Sequence, residues 1–144
     1  MKNWKRFAAV GLSLAMALMT GCGASEKPAA EKTTAEKDAG AKKKVALVCD
    51  VAGTQVFILD MIDGLKASAE KHGFEVVIAE CADAAAYEDN CRAMVEEGAD
   101  LIIGGSWQAA DAISKVATEF PDKADYALID SEVDVDNVKC ISFR

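Results

Sequence analysis

The stretch DLIIGGSWQAAD, residues 100–111, decides how the whole chain folds. Leu101–Ile103 is a short apolar run, two glycines follow, and Ser106 stands before residues whose apolar members return at helical spacing: Ala109, Ile113, Val116, Ala117 and Phe120. Pro121 ends that pattern, because proline cannot continue a helix. A strand passing through a tight polar loop into a helix is the βα unit of a parallel sheet.

The same alternation extends in both directions. Upstream, Val45–Cys49 reads as a strand before a helix from about Gln55 to His72, stopped by Gly73. Phe74–Ala79 reads as a second strand, followed by a helix with Tyr87, Cys91, Met94 and Val95 on one face, closed by Gly98. Downstream, Tyr126–Ile129 and Val138–Ser142 complete five strands. Strict alternation predicts an α/β fold: a parallel sheet with right-handed crossovers and helices on both faces.

Sheets of this kind take ligands beyond the carboxyl ends of their strands, where the strand order reverses. The loops there are residues 50–54, 104–107 and 130–131. Gly53, Gly104 and Gly105 are expected to let the backbone turn tightly and a ligand approach closely. Ser106 is expected to cap the third helix. Trp107 offers an aromatic face, and Asp50 and Asp130 offer acceptors. Each has a plainer alternative: Trp107 packs against a neighbouring helix, and the two aspartates brace turns. His72, in a last helical turn, suits the helix dipole.

Composition narrows the class. With 144 residues, 51% hydrophobic and 28% charged, the chain has the make-up of one globular domain. A net charge of −8 with no Lys/Arg stripe on any expected helix excludes nucleic acid as a partner. At the N-terminus Lys2, Lys5 and Arg6 precede an apolar run from Phe7 to Met19, shorter than the ~20 residues a spanning helix needs. The ending Leu18-Met19-Thr20-Gly21-Cys22 resembles a bacterial lipoprotein signal, cut before a cysteine that is then acylated. The expected organisation is a signal over residues 1–21, a lipidated Cys22 with a spacer to residue 42, and a folded domain over 43–144. Two or more acyl chains suffice for stable anchoring, so the domain is expected at the cell membrane, facing outside the cytoplasm. Loss of Lys2, Lys5 and Arg6 with the signal, and of no acid, takes the charge from −8 to −11. The spacer has no large apolar residue to repay the entropy of ordering.

Catalytic and metal chemistries find little support. Gly104-Gly105-Ser106-Trp107-Gln108 approaches the G-x-S-x-G nucleophile elbow but lacks the last glycine, and His72 precedes the serine where that fold needs its base downstream. A serine hydrolase is therefore the lesser reading. Cys49, Cys81, Cys91 and Cys140 show no C-x-x-C spacing and fall in or beside expected core elements, as buried thiols or as disulfide partners that sequence cannot pair. No metal and no cofactor are expected.

Taken together, the signal, the spacer, KKVALVCDVAG, FILDMIDGLKASAEKHGFEV, GADLIIGGSWQAADAISKVATEFPDKADYALIDSEVD and NVKCISF resemble the first lobe of the basic membrane protein (Bmp) family. These are solute-binding lipoproteins of ABC importers, related to purine nucleoside receptors, with the periplasmic binding protein type I fold. The resemblance spans residues 43–144 and is strongest from Gly98 to Asp134. It implies that Asp50 and Asp130 end pocket-lining strands and that Trp107 is the pocket's aromatic. It implies a small polar solute such as a nucleoside, an ABC permease as partner, no enzymatic activity, and a second lobe beyond Arg144. The loop after the first strand departs from the family's usual Asp-Asp-x-Ser-Phe-Asn-Gln run, since Thr54–Leu59 is shorter and keeps only Phe57. A surface lipoprotein with a structural or host-contact role is the alternative from another class.

Overall fold

A computed structural model describes residues 42–143. The expected signal, Cys22 and nearly all of the spacer lie outside the described residues. The elements run β1 (Lys44–Asp50), α1 (Val56–His72), β2 (Glu75–Cys81), α2 (Ala84–Glu96), β3 (Leu101–Gly105), α3 (Ala110–Glu119), β4 (Asp125–Ile129) and β5 (Val138–Ile141). A single 3-10 turn, Trp107–Ala109, leads into α3. The strands form one sheet in the order β2-β1-β3-β4-β5, with every neighbouring pair parallel.

β1 shows why the chain adopts this layering. It is buried on both faces, as a central parallel strand must be when helices cover each side. Ala46 and Val48 point into a core shared with Tyr87, Cys91 and Met94 of α2 and Ile113, Val116 and Ala117 of α3. Leu47 and Cys49 point the other way, onto Ile58 and Ile62 of α1. The period-2 alternation of one strand thus assigns α1 to one face and α2 with α3 to the other. The chain moves from β1 outward to β2, then returns past β1 to β3. The strand order reverses between β1 and β3, and that point organises the site.

The element ends agree with their local chemistry. Gly73 follows α1 at φ 77°, a left-handed conformation that glycine adopts without Cβ strain, and donates to the Ala69 carbonyl at 2.7 Å. Asp83 caps α2, its carboxylate accepting from the Ala86 N–H at 3.0 Å.

Two expectations about the central stretch are corrected. Gly104 and Gly105 are not turn residues; they end β3, and neither has a positive φ. Their lack of a side chain serves packing. A Cβ on Gly104 would stand 2.7 Å from Ile113 Cγ1, and one on Gly105 would stand 2.9 Å from Cys49 Cβ. The turn is made by Ser106, at φ 91° and ψ 176°. Ser106 also does not cap the third helix, since its side chain bonds no helical N–H; only its carbonyl accepts, from Ala109.

Candidate functional site

Asp50 ends β1 at the reversal point, and three side chains converge on its carboxylate. The Tyr87 hydroxyl donates to Oδ1 at 2.5 Å. The amides of Gln108 and Gln55 donate to Oδ2 at 2.8 Å and 3.0 Å. The Gln108 amide oxygen in turn accepts from the Ser106 hydroxyl. The chain of bonds therefore ties β1, α1, α2 and the turn after β3 into one unit.

Two of its members are buried. Tyr87 is 3% exposed and Ser106 is 1% exposed. Desolvation, and then the hydrogen bond to the Asp50 carboxylate, push the Tyr87 phenol above the ordinary range. The phenol is accordingly a neutral donor throughout the physiological range.

Trp107 stands apart from this packing. It is 70% exposed, which excludes the reading that it packs against a neighbouring helix. Its ring lines a cavity of about 450 Å³ with Asp50, Asp83, Tyr87, Gln108 and Asp111, among others. Three carboxylates border this space, and among the described residues no Lys or Arg lines it. An aromatic face above fixed polar groups is the arrangement that orients a small ligand with a flat, hydrogen-bonding portion.

The remaining expected site residues lie elsewhere on the same edge. Phe57 and Asp130 line a second hollow of about 300 Å³ with Met61, Ile129 and Phe143, on the α1 side of the sheet. Asp130 is exposed and takes φ 58°, a left-handed conformation that Asp tolerates better than most residues. Asp50 and Trp107 thus share one cavity, Phe57 and Asp130 share another, and Ser106 is buried behind the first.

The sequence reading missed Tyr87, Gln108 and Gln55 as site residues. Tyr87 carried one usable signal: a tyrosine on a buried helical face needs a partner for its hydroxyl. Nothing local to either glutamine gave a comparable sign.

Among the described residues there is no cluster of three or more His, Cys, Asp or Glu side chains placed to hold a metal ion. The described cysteines are free thiols, with Cys49, Cys81 and Cys91 buried and Cys140 half-buried.

Against known proteins, the profile of the Bmp family, described as ABC transporter substrate-binding protein PnrA-like, matches residues 42–144. The chain belongs to this family. No curated protein matches. Among solved structures, a crystallised fragment from Peptoclostridium difficile 630 is similar at 25% identity and TM-score 0.62, covering 70% of this chain and 85% of that one. An ABC transporter system solute-binding protein from Aeropyrum pernix K1 is similar at 30% identity and TM-score 0.59, over 68% of this Bmp chain. A 5-methylthioribose transporter solute-binding protein from Thermotoga lettingae TMO, solved with 5-methylthioribose, shares the fold at 22% identity and TM-score 0.58, over 67% of this chain. The Bmp chain spans 28% of the Aeropyrum protein and 31% of the Thermotoga protein. The expected α/β lobe of the periplasmic binding protein type I kind is therefore present, and its relatives are solute-binding proteins.

Proposed function

We propose that this Bmp chain forms one wall of the solute site in a lipid-anchored receptor that delivers a small polar solute to an ABC permease. Nucleosides are the solute class to test first. The observation that carries this reading is Trp107: a tryptophan 70% exposed, at the strand-order reversal of the sheet. Leaving a large aromatic face in water is costly, and a stacked ring relieves that cost. Gln108 lines the same cavity, braced by Asp50 with Tyr87 alongside, and supplies a polar contact that fixes orientation. The cavity's three carboxylates, without a lining cation, favour a neutral or cationic solute over a phosphorylated one.

The test is a thermal-shift screen of the full-length protein against nucleosides, pentoses, hexoses and amino acids. Binding to the native state alone raises stability by about 2.7 kcal/mol at a hundred times Kd, so one class should stand out. No shift with any class would sink the receptor reading and leave a structural or host-contact lipoprotein in its place. Anchoring has its own readout. Cys22→Ser should move the protein from the membrane to the soluble fraction, and retention at the membrane would overturn the lipid anchor.

A further inference from the structure

Ser106 occupies a backbone conformation that a side chain should avoid. At φ 91° and ψ 176° it lies in a region that is essentially glycine's alone, where other residues persist only if their surroundings hold them. Two glycines immediately precede it in the chain, and a third would remove the strain. The position is also 1% exposed, so the hydroxyl needs a partner. That partner is the Gln108 amide oxygen, and the Gln108 amide nitrogen is held by Asp50 at 2.8 Å.

A glutamine amide has two donor hydrogens and two acceptor lone pairs. The Asp50 carboxylate only accepts, so exchanging the two ends of Gln108 would set its carbonyl oxygen against Asp50; the Ser106 hydroxyl holds that oxygen on the far side. One N–H and one lone pair remain, on a side chain that lines the Trp107 cavity. Asp50 is differently placed, since both of its oxygens are already engaged by Tyr87, Gln55 and Gln108.

We infer that Ser106 is a positioning residue, kept in a strained conformation because its hydroxyl anchors the Gln108 amide oxygen while Asp50 sets the direction of the amide, so that the amide meets the solute in one fixed orientation. The inference rests on the proposed solute site for its consequence, but not for its geometry. Gln108 is then the polar group that reads the solute beside Trp107, and Asp50 aligns Gln108 and Tyr87 from behind.

Ser106→Gly separates this role from a fold-supporting one, because glycine relieves the backbone while deleting the hydroxyl. In a ¹⁵N-correlated NMR spectrum of the full-length protein, comparison with Gln108→Glu assigns the Gln108 side-chain amide pair. In the ligand-free Ser106→Gly protein, the Gln108 amide pair should move toward the position of a solvated amide, with Tm unchanged or raised. With inosine as the probe, affinity should fall about tenfold or more, as expected for a ligand contact that has lost its orientation.

An unmoved amide pair in the ligand-free variant would overturn the inference. So would a fall in Tm of ~4 °C or more, since the serine would then serve the fold. Equal inosine affinity in wild type and variant would overturn it too. If inosine fails to bind even wild type while the amide pair moves and Tm holds, the positioning role stands and the nucleoside reading fails.

Discussion

Removing the Asp50 carboxylate should strand the Tyr87 hydroxyl, and the cost can be worked from the geometry. The phenol donates to Asp50 at 2.5 Å from a residue 3% exposed, so in Asp50→Ala it is left buried without a partner. An orphaned buried polar group costs about 1–3 kcal/mol. The lost bonds from Gln55 and Gln108, which are more exposed, add less, giving about 2–4 kcal/mol in all. Tyr87→Phe alone should cost about 1.5 kcal/mol, because the carboxylate keeps its two amide donors and some solvent. The double variant should lose about 1–2 kcal/mol less than the sum, since no orphan remains. Urea unfolding followed by far-ultraviolet circular dichroism measures all four corners of the cycle. Additivity to within about 0.5 kcal/mol would refute the reasoning. An alkaline absorbance titration gives an independent check. Burial pushes Tyr126 up to about 12, and Tyr87 is raised further still by burial and by Asp50. Both phenols ionise near 10 when unfolded, so their contribution is complete below pH 10 and is lost as pH climbs past it. Asp50→Ala should bring the Tyr87 ionisation down, and an unchanged titration would contradict the bond.

The remaining predictions concern packing, ligand contact and the thiols. Trp107→Ala should weaken binding of whichever solute the thermal screen identifies by about tenfold or more, yet alter unfolding by less than ~1 kcal/mol. A large stability loss with affinity spared would make the ring structural. Gly104→Ala places a methyl 2.7 Å from Ile113 Cγ1 and 2.9 Å from Ala109 Cβ, and overpacking of this kind costs about 1–3 kcal/mol. An unchanged urea midpoint would show that α3 moves aside freely. Burial raises Cys49 to about 11 and Cys91 to about 12, against an ordinary value of 9.0. Unfolded thiols release protons first as pH rises above 9, so the urea midpoint should fall between pH 9 and 11, whereas a flat profile would place these thiols in contact with water.

The layered fold was legible because its signals are local and repeated. Val45–Cys49 is continuously apolar since β1 is covered on both sides, and Gly73 marks the end of α1 because that position needs a left-handed residue. The place of Asp50 and Trp107 at one edge of the sheet was legible through the rule that ligands lie beyond the carboxyl ends of parallel strands. The glycines were misread: the sequence shows that Gly104 and Gly105 lack side chains, but only the packed helix shows what a side chain would strike. Tyr87 escaped because its partner lies 37 positions away, across a register between α2 and β1 that no local pattern encodes. The role of Ser106 was hidden for a related reason. A serine before a helix is ordinarily a cap, and only its backbone angles reveal otherwise.

The two faces of the sheet are unequally held. The side covered by α2 and α3 joins a large cluster of buried residues, whereas α1 is seated through Ile58 and Ile62 on Leu47 and Cys49. In native-state hydrogen exchange, α1 should therefore open as its own low-energy cooperative unit, well before the central strands. Phe57 travels with it, so the hollow it lines with Asp130 can loosen, and Asp50 gives up its bond from Gln55 while keeping the one from Tyr87. One side of the site is then a rigid template, and the other adapts on the timescale of helix opening.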